Sequence, residues 1–157
     1  MTNRQQAEDL CLWGEQPSKC RFDIKTGQGI TANYFEVKSW GQTTIANFLS
    51  DKNKRVQFTN KFMTYLGNIT DLKKLHYMFD GKRKFNSGFV GRDKVREIAI
   101  AVFRDDPIGI YNLKPSLFNT LKDQYGQEIK TASQFQDFIN NPTFDITHPL
   151  LNFINIY

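Results

Sequence analysis

The stretch Tyr34–Trp40, YFEVKSW, decides how the rest of the chain is read. Tyr34, Glu36 and Lys38 interleave with Phe35 and Val37, a period of two that predicts a β-strand. On such a strand Glu36 and Lys38 point to the same face. A carboxylate and an ammonium side by side in a largely apolar strand either neutralise each other as a pair, or hold a metal ion and a reacting phosphate. Upstream, Lys19–Lys25 predicts a short strand and Thr26–Gly29 a glycine-bearing turn of hairpin length. Ile30–Trp40 is then the returning strand. Antiparallel pairing of the two brings Asp23 within reach of Glu36 and Lys38.

Together these three side chains match the needs of phosphodiester hydrolysis. Two carboxylates at a sheet edge supply hard oxygen ligands for Mg²⁺ or Mn²⁺, with Zn²⁺ as a further candidate. The backbone carbonyl of Val37, between Glu36 and Lys38, is an additional candidate ligand. A lysine two residues on can orient the attacking water and stabilise the developing negative charge.

Asp23 followed by Glu36-Val37-Lys38 resembles the PD-(D/E)xK nuclease superfamily, whose motif is an acidic residue on one strand and Glu/Asp-x-Lys on the next. The likeness continues upstream through Glu8 on a first helix, Gly14 after it and a proline turn at Pro17. Downstream, many members carry a glutamine on the helix after the motif, and Gln57 stands there. The resemblance spans about residues 5–80, and Phe22 occupies the place of the proline that names the motif. It implies a restriction-endonuclease-like α/β fold with a small mixed central sheet and flanking helices. It also implies metal binding by Glu8, Asp23 and Glu36, a catalytic role for Lys38, and DNA more than RNA as substrate. Size and layout resemble the C-terminal nuclease toxin domains of contact-dependent inhibition and related systems. An immunity protein is then the implied partner, and the cytoplasm of a target cell the place of action. A phage or restriction-type endonuclease is the neighbouring alternative on the same fold.

The remaining chain reads as helices around that sheet. Asn3–Trp13 has helical apolar spacing, and Glu8 on it is equally a residue of a solvated acidic face. Gly41–Asn53 is ambiguous, with Ile45, Phe48 and Leu49 hinting at a helical turn. Lys52, Lys54 and Arg55 form a basic cluster leading into a helix over Val56–Leu66. Phe58, Phe62, Tyr65 and Leu66 make its apolar stripe, and Gln57 and Lys61 fall off it toward a cleft. Leu75–Asp80 predicts a strand. Gly81–Gly91, with Lys82, Arg83, Lys84, Phe85 and Phe89, predicts a basic loop that either grips nucleic acid or tucks its phenylalanines inward. Helices are expected over Lys94–Arg104, from Pro115 through Tyr125, over Ser133–Asn140, and after Thr147 as a cap, with His148 positional. The part from about 91 to 157 therefore reads as helical, and all 157 residues as one domain.

Composition bounds the function classes. Hydrophobic residues make up 39% and aromatics 14%, which provides ample apolar surface for a packed core rather than disorder. No apolar run approaches the roughly 20 residues of a membrane-spanning helix, and the N-terminus lacks the apolar core of a secretory signal. A soluble protein is expected, and a domain excised from an exported one has the same composition. Cys11 and Cys20 read as reduced thiols, without zinc-site spacing. The net charge of +5 favours a polyanionic partner. Two further classes fit the same residues. One is a non-catalytic nucleic-acid-binding module acting through Lys52–Arg55 and Lys82–Lys84, with Glu36 and Lys38 structural. The other is an inhibitor or immunity protein, against which the basic charge weighs.

Overall fold

Alternation over Asn33–Lys38 is realised as a strand in the computed structural model, which describes residues 24–28, 32–85 and 88–157. Glu8, Cys11, Cys20, Asp23 and the expected first helix lie outside those residues. Strand β1 (Ile24–Thr26) runs antiparallel to β2 (Asn33–Lys38), with Ile24 opposite Phe35 and Thr26 opposite Asn33. Gly27 opens the turn at φ +78°, a conformation glycine adopts without steric cost.

Parallel strands need a long crossover, and two helices supply it. The ambiguous region is α1 (Gln42–Ser50), formed because Ile45 and Phe48 fall on one face and are buried. Next, α2 (Lys52–Asn68) starts where the Asp51 carboxylate accepts from the Asn53 backbone N–H at 2.9 Å. Lys52, Lys54 and Arg55 thus belong to the helix itself, which begins four residues before the expected Val56. Strand β3 (Leu75–Phe79) returns parallel to β2, with Glu36 opposite Tyr77.

The expected basic loop contains a hairpin, β4 (Lys84–Phe85) with β5 (Gly88–Phe89). Its two aromatics part ways: Phe85 packs against the core under the Lys94 ammonium, whereas Phe89 is 67% exposed. Helix α3 (Arg92–Asp105) buries Val95, Ile98, Ala99, Val102 and Phe103. The Asp105-Asp106-Pro107 break is a joint, because the Asp106 carboxylate caps Gly109 N–H and Pro107 opens α4 (Pro107–Leu113).

Two C-terminal expectations are corrected. No α-helix runs from Pro115 to Tyr125; a 3-10 turn over Pro115–Leu117 gives way to a tight turn. There the Asp123 carboxylate accepts from the N–H groups of Tyr125 and Gln127, and Gly126 takes φ +76°. This local turn chemistry overrides the helical spacing of the apolar residues. Helix α5 (Ala132–Asn140) follows, with the Thr131–Gln134 capping box. The expected last helix is a single 3-10 turn, Pro149–Leu151, capped by His148 Nδ1 rather than by Thr147. After it Ile154–Ile156 forms β6, parallel to β3, so the C-terminal part is not purely helical but supplies a strand.

The result is α/β: a mixed sheet in the order β1-β2-β3-β6 with five α-helices among the described residues. One hydrophobic cluster extends from Ala32 to Ile154, and much of it is ring-on-ring contact through Phe58, Phe62, Tyr77, Phe103 and Phe153. Among the described residues no helix is long and apolar enough to cross a membrane.

On the other face of the sheet His76 stacks on Phe35 at 4.5 Å, with Nε2 3.2 Å from Asn33 Oδ1. Burial, helped by the Lys74 ammonium, holds its imidazole below the usual range near 6.5. The unfolded chain therefore takes up this proton first, so stability falls as pH drops below about 6.5. Urea unfolding midpoints between pH 7.5 and 5 are expected to fall less in His76→Gln than in the parent. Equal falls would show that His76 is not responsible.

Candidate active site

The alternation of β2 turns Tyr34, Glu36 and Lys38 toward α2. That face is the buried one, and Glu36 is only 1% exposed. A buried carboxylate demands donors, and it has three. Lys38 Nζ and Lys61 Nζ donate to Oε1 at 2.7 and 2.9 Å, and the Tyr65 hydroxyl donates to Oε2 at 2.5 Å. These are short, charge-assisted bonds. Lys61 and Tyr65 lie one helical turn apart on α2, so the helix clamps the strand's carboxylate from above. The two lysines keep part of their side chains in solvent, 20% and 25%, so the ion cluster sits at an opening rather than deep in the core.

That opening is a cavity of about 430 Å³ at the carboxyl end of β2, within the usual size of ligand sites. Ligands of open α/β sheets bind at this end of parallel strands. Glu36, Lys38, Lys61, Lys54 and Gln57 all line it, over a floor of Trp40, Phe48, Phe58 and Tyr77. Asn47 and Thr44 of α1 complete the rim. Gln57 and Lys61 thus face a cleft as their position off the apolar stripe implies. Val37 presents its side chain on the opposite, exposed face of β2 and is not among the lining residues.

The basic residues divide. Lys54 belongs to the cavity, but Lys52 donates to the Asp105 carbonyl at 3.3 Å. Arg55 is buried, and its guanidinium makes a bidentate pair with Asp105 at 2.7 and 2.8 Å. Its remaining nitrogen donates to the carbonyls of Phe48 and Leu49 at the end of α1. The hydrogen bond to Asp105 raises the guanidinium pKa further above its ordinary value. Arg55, expected as a nucleic-acid contact, is instead a brace between α1, α2 and α3. Lys114, on the Ile69 carbonyl, and Arg104, on the Ile139 and Asn141 carbonyls, likewise satisfy the ends of α2 and α5. Part of the positive charge therefore serves the fold.

Lys82, Arg83 and Lys84 remain outward. Asp80 Oδ1 accepts from Lys82 N–H, Asp80 O from Arg83 N–H, and the Gly81 N–H donates to Tyr157 O, which sets the start of the hairpin. A side chain at Gly81 would force its neighbours to shift, since an added Cβ would lie 2.5 Å from Ile156 Cγ2 and 3.2 Å from the Tyr157 carbonyl oxygen. The three cations line a second depression, of about 460 Å³, with Gly41–Thr44. Thr44 borders both depressions, so the cationic surface continues from Lys84 to Lys61.

Sequence reasoning missed the contributions of Tyr65, Trp40, Asn47 and Thr44. The signal available was the stripe Lys54, Gln57, Lys61 and Tyr65, spaced at helical intervals after the Glu-x-Lys strand. Among the described residues one carboxylate lines this cavity, Glu36, with both oxygens taken by proton donors. Among the described residues no group of three or more His, Cys, Asp or Glu gathers anywhere. A cation on Glu36 would have to displace Lys38 or Lys61 from Oε1, or Tyr65 from Oε2. Asp23 and Glu8, the other expected metal ligands, lie outside the described residues. The chain matches no protein-family model, no curated protein and no solved structure.

Proposed function

We propose that this chain is a metal-dependent nuclease hydrolysing phosphodiester bonds, of DNA before RNA, on a restriction-endonuclease-like arrangement. The observation that carries the proposal is the meeting of Glu36, Lys38 and Lys61 at a lysine-rimmed cavity on the carboxyl end of β2. Hairpin, Glu-x-Lys strand and a following helix with Gln57 toward the site agree with the layout that the resemblance implies. Lys38, held 2.7 Å from the Glu36 carboxylate, orients the attacking water or stabilises charge on the phosphoryl oxygens. Lys54 and Lys61 neutralise the scissile phosphate, and Lys82, Arg83 and Lys84 hold the flanking backbone. Held by Glu36 together with Asp23, Mg²⁺ or Mn²⁺ would supply Lewis-acid stabilisation. An antibacterial toxin restrained by an immunity protein is the setting proposed for this activity, on the resemblance alone.

A second reading is favoured by one observation: every oxygen of the Glu36 carboxylate is already engaged, as in a structural ion cluster. The protein is then a binding module that uses the same cationic surface without cleaving. Plasmid DNA and single-stranded DNA, each incubated with Mg²⁺, Mn²⁺ or Zn²⁺, or with EDTA, separate the two. The nuclease degrades or nicks DNA only with metal, and Lys38→Gln lowers the rate by on the order of 10²–10⁴, far more than it weakens DNA binding. Salt-sensitive binding with intact DNA, and intact RNA under the same metals, would leave the binding module.

A further inference from the structure

We infer that the cavity beside Glu36 is a nucleobase subsite that takes one unstacked base of the nucleic-acid chain, an assignment that rests on the nucleic-acid reading above. Lysines alone would make a phosphate site, but this cavity has a different floor. Trp40 is pinned by rings on three sides, at 5.0 Å from Phe48, 5.8 Å from Phe58 and 5.7 Å from Phe79. It is half-buried and lines the cavity, so it offers a fixed aromatic surface whose ordering is already achieved by folding. Bases stack on such platforms regardless of sequence.

Two neutral amides stand over this floor from different helices, Asn47 of α1 and Gln57 of α2. Both are exposed, and neither side chain makes a hydrogen bond among the described residues, so donors and acceptors remain for the edge of a base. Around them Lys38, Lys54 and Lys61 provide the charge for the phosphates on either side. Lys38 Nζ also lies 5.8 Å from the Trp40 ring, over its face. A base stacking on Trp40 shares that face with the Lys38 ammonium or displaces it, and its phosphate is drawn to Lys38, Lys54 or Lys61 rather than to the Glu36 carboxylate. An acidic peptide would use the lysines but not the ring and the amides.

A base reaches this cavity only out of a duplex stack, so single-stranded or unpaired nucleic acid is the preferred substrate. The test compares 2′-deoxyadenosine 5′-monophosphate with deoxyribose 5-phosphate, by calorimetry and by the indole N–H resonance of Trp40. The nucleotide is expected to bind about tenfold tighter and to shift the Trp40 resonance. Asn47→Ala and Gln57→Ala, both at exposed positions, are expected to lose most of that margin while still binding deoxyribose 5-phosphate. Equal affinity for the two probes, or an unmoved Trp40 resonance, overturns the subsite; metal-dependent plasmid cleavage by the same preparation would then leave the nuclease intact. A clear base preference without cleavage under any metal supports the subsite and removes the nuclease instead. Faster cleavage of duplex than of the same strand unpaired also overturns the subsite.

Discussion

Glu36→Ala is expected to abolish cleavage and also to cost about 3–5 kcal/mol of stability, the usual penalty for removing one partner of a buried ion pair. A metal-binding carboxylate open to solvent would be lost with little effect on the fold. The structure changes that expectation, because Glu36 is 1% exposed and receives Lys38, Lys61 and Tyr65. Alanine leaves two ammonium groups facing each other and removes the carboxylate that the Tyr65 hydroxyl donates to. Glu36→Gln is the informative variant. Its amide oxygen still accepts from both lysines, and its NH₂ can donate to the Tyr65 oxygen, so the cluster keeps its hydrogen bonds while losing its one negative charge. Circular dichroism melts of the two variants should therefore differ by several degrees. Both should be inactive with every metal. A glutamine variant that folds and still cleaves DNA would remove Glu36 from the chemistry. An alanine variant as stable as the parent would show that the cluster contributes nothing to the fold.

How far the sequence could be read depended on how local the deciding contacts are. Strand β2 was legible because its alternation is self-contained, and the Glu36–Lys38 pair came with it. Gln57 and Lys61 were legible as residues off the apolar stripe of α2, although the partner of Lys61, Glu36, lies 25 residues before it. The start of α2 was not, since its cap, Asp51, stands among other polar residues that fit a loop equally well. Pro115–Tyr125 misled because apolar spacing was weighed above the Asp123 and Gly126 turn. Strand β6 has three residues, and Leu150, Leu151, Phe153 and Ile154 fit a helix as well as a strand. Only its pairing with β3, far back in the chain, decides between them. Trp40 reads as core on composition, and only the fold shows that its ring also lines the cavity.

Arg55 shows the same non-local effect with the largest consequence. By sequence it is one more cation in a basic cluster; in space its partner is Asp105, 50 residues away. Arg55→Ala is expected to cost about 3–5 kcal/mol, because the Asp105 carboxylate loses a bidentate partner while α1 loses its C-terminal donors. Asp105→Ala should cost less, since the guanidinium keeps the Phe48 and Leu49 carbonyls. The double variant should be less destabilised than the two losses added, as expected for residues that share one interaction. Chemical denaturation of the three variants measures this directly. DNA affinity, measured under conditions where Arg55→Ala remains folded, should match the parent, whereas Lys54→Ala, one residue away on the cavity side, should weaken it. The opposite ranking would put Arg55 on the nucleic acid and its contact with Asp105 in second place.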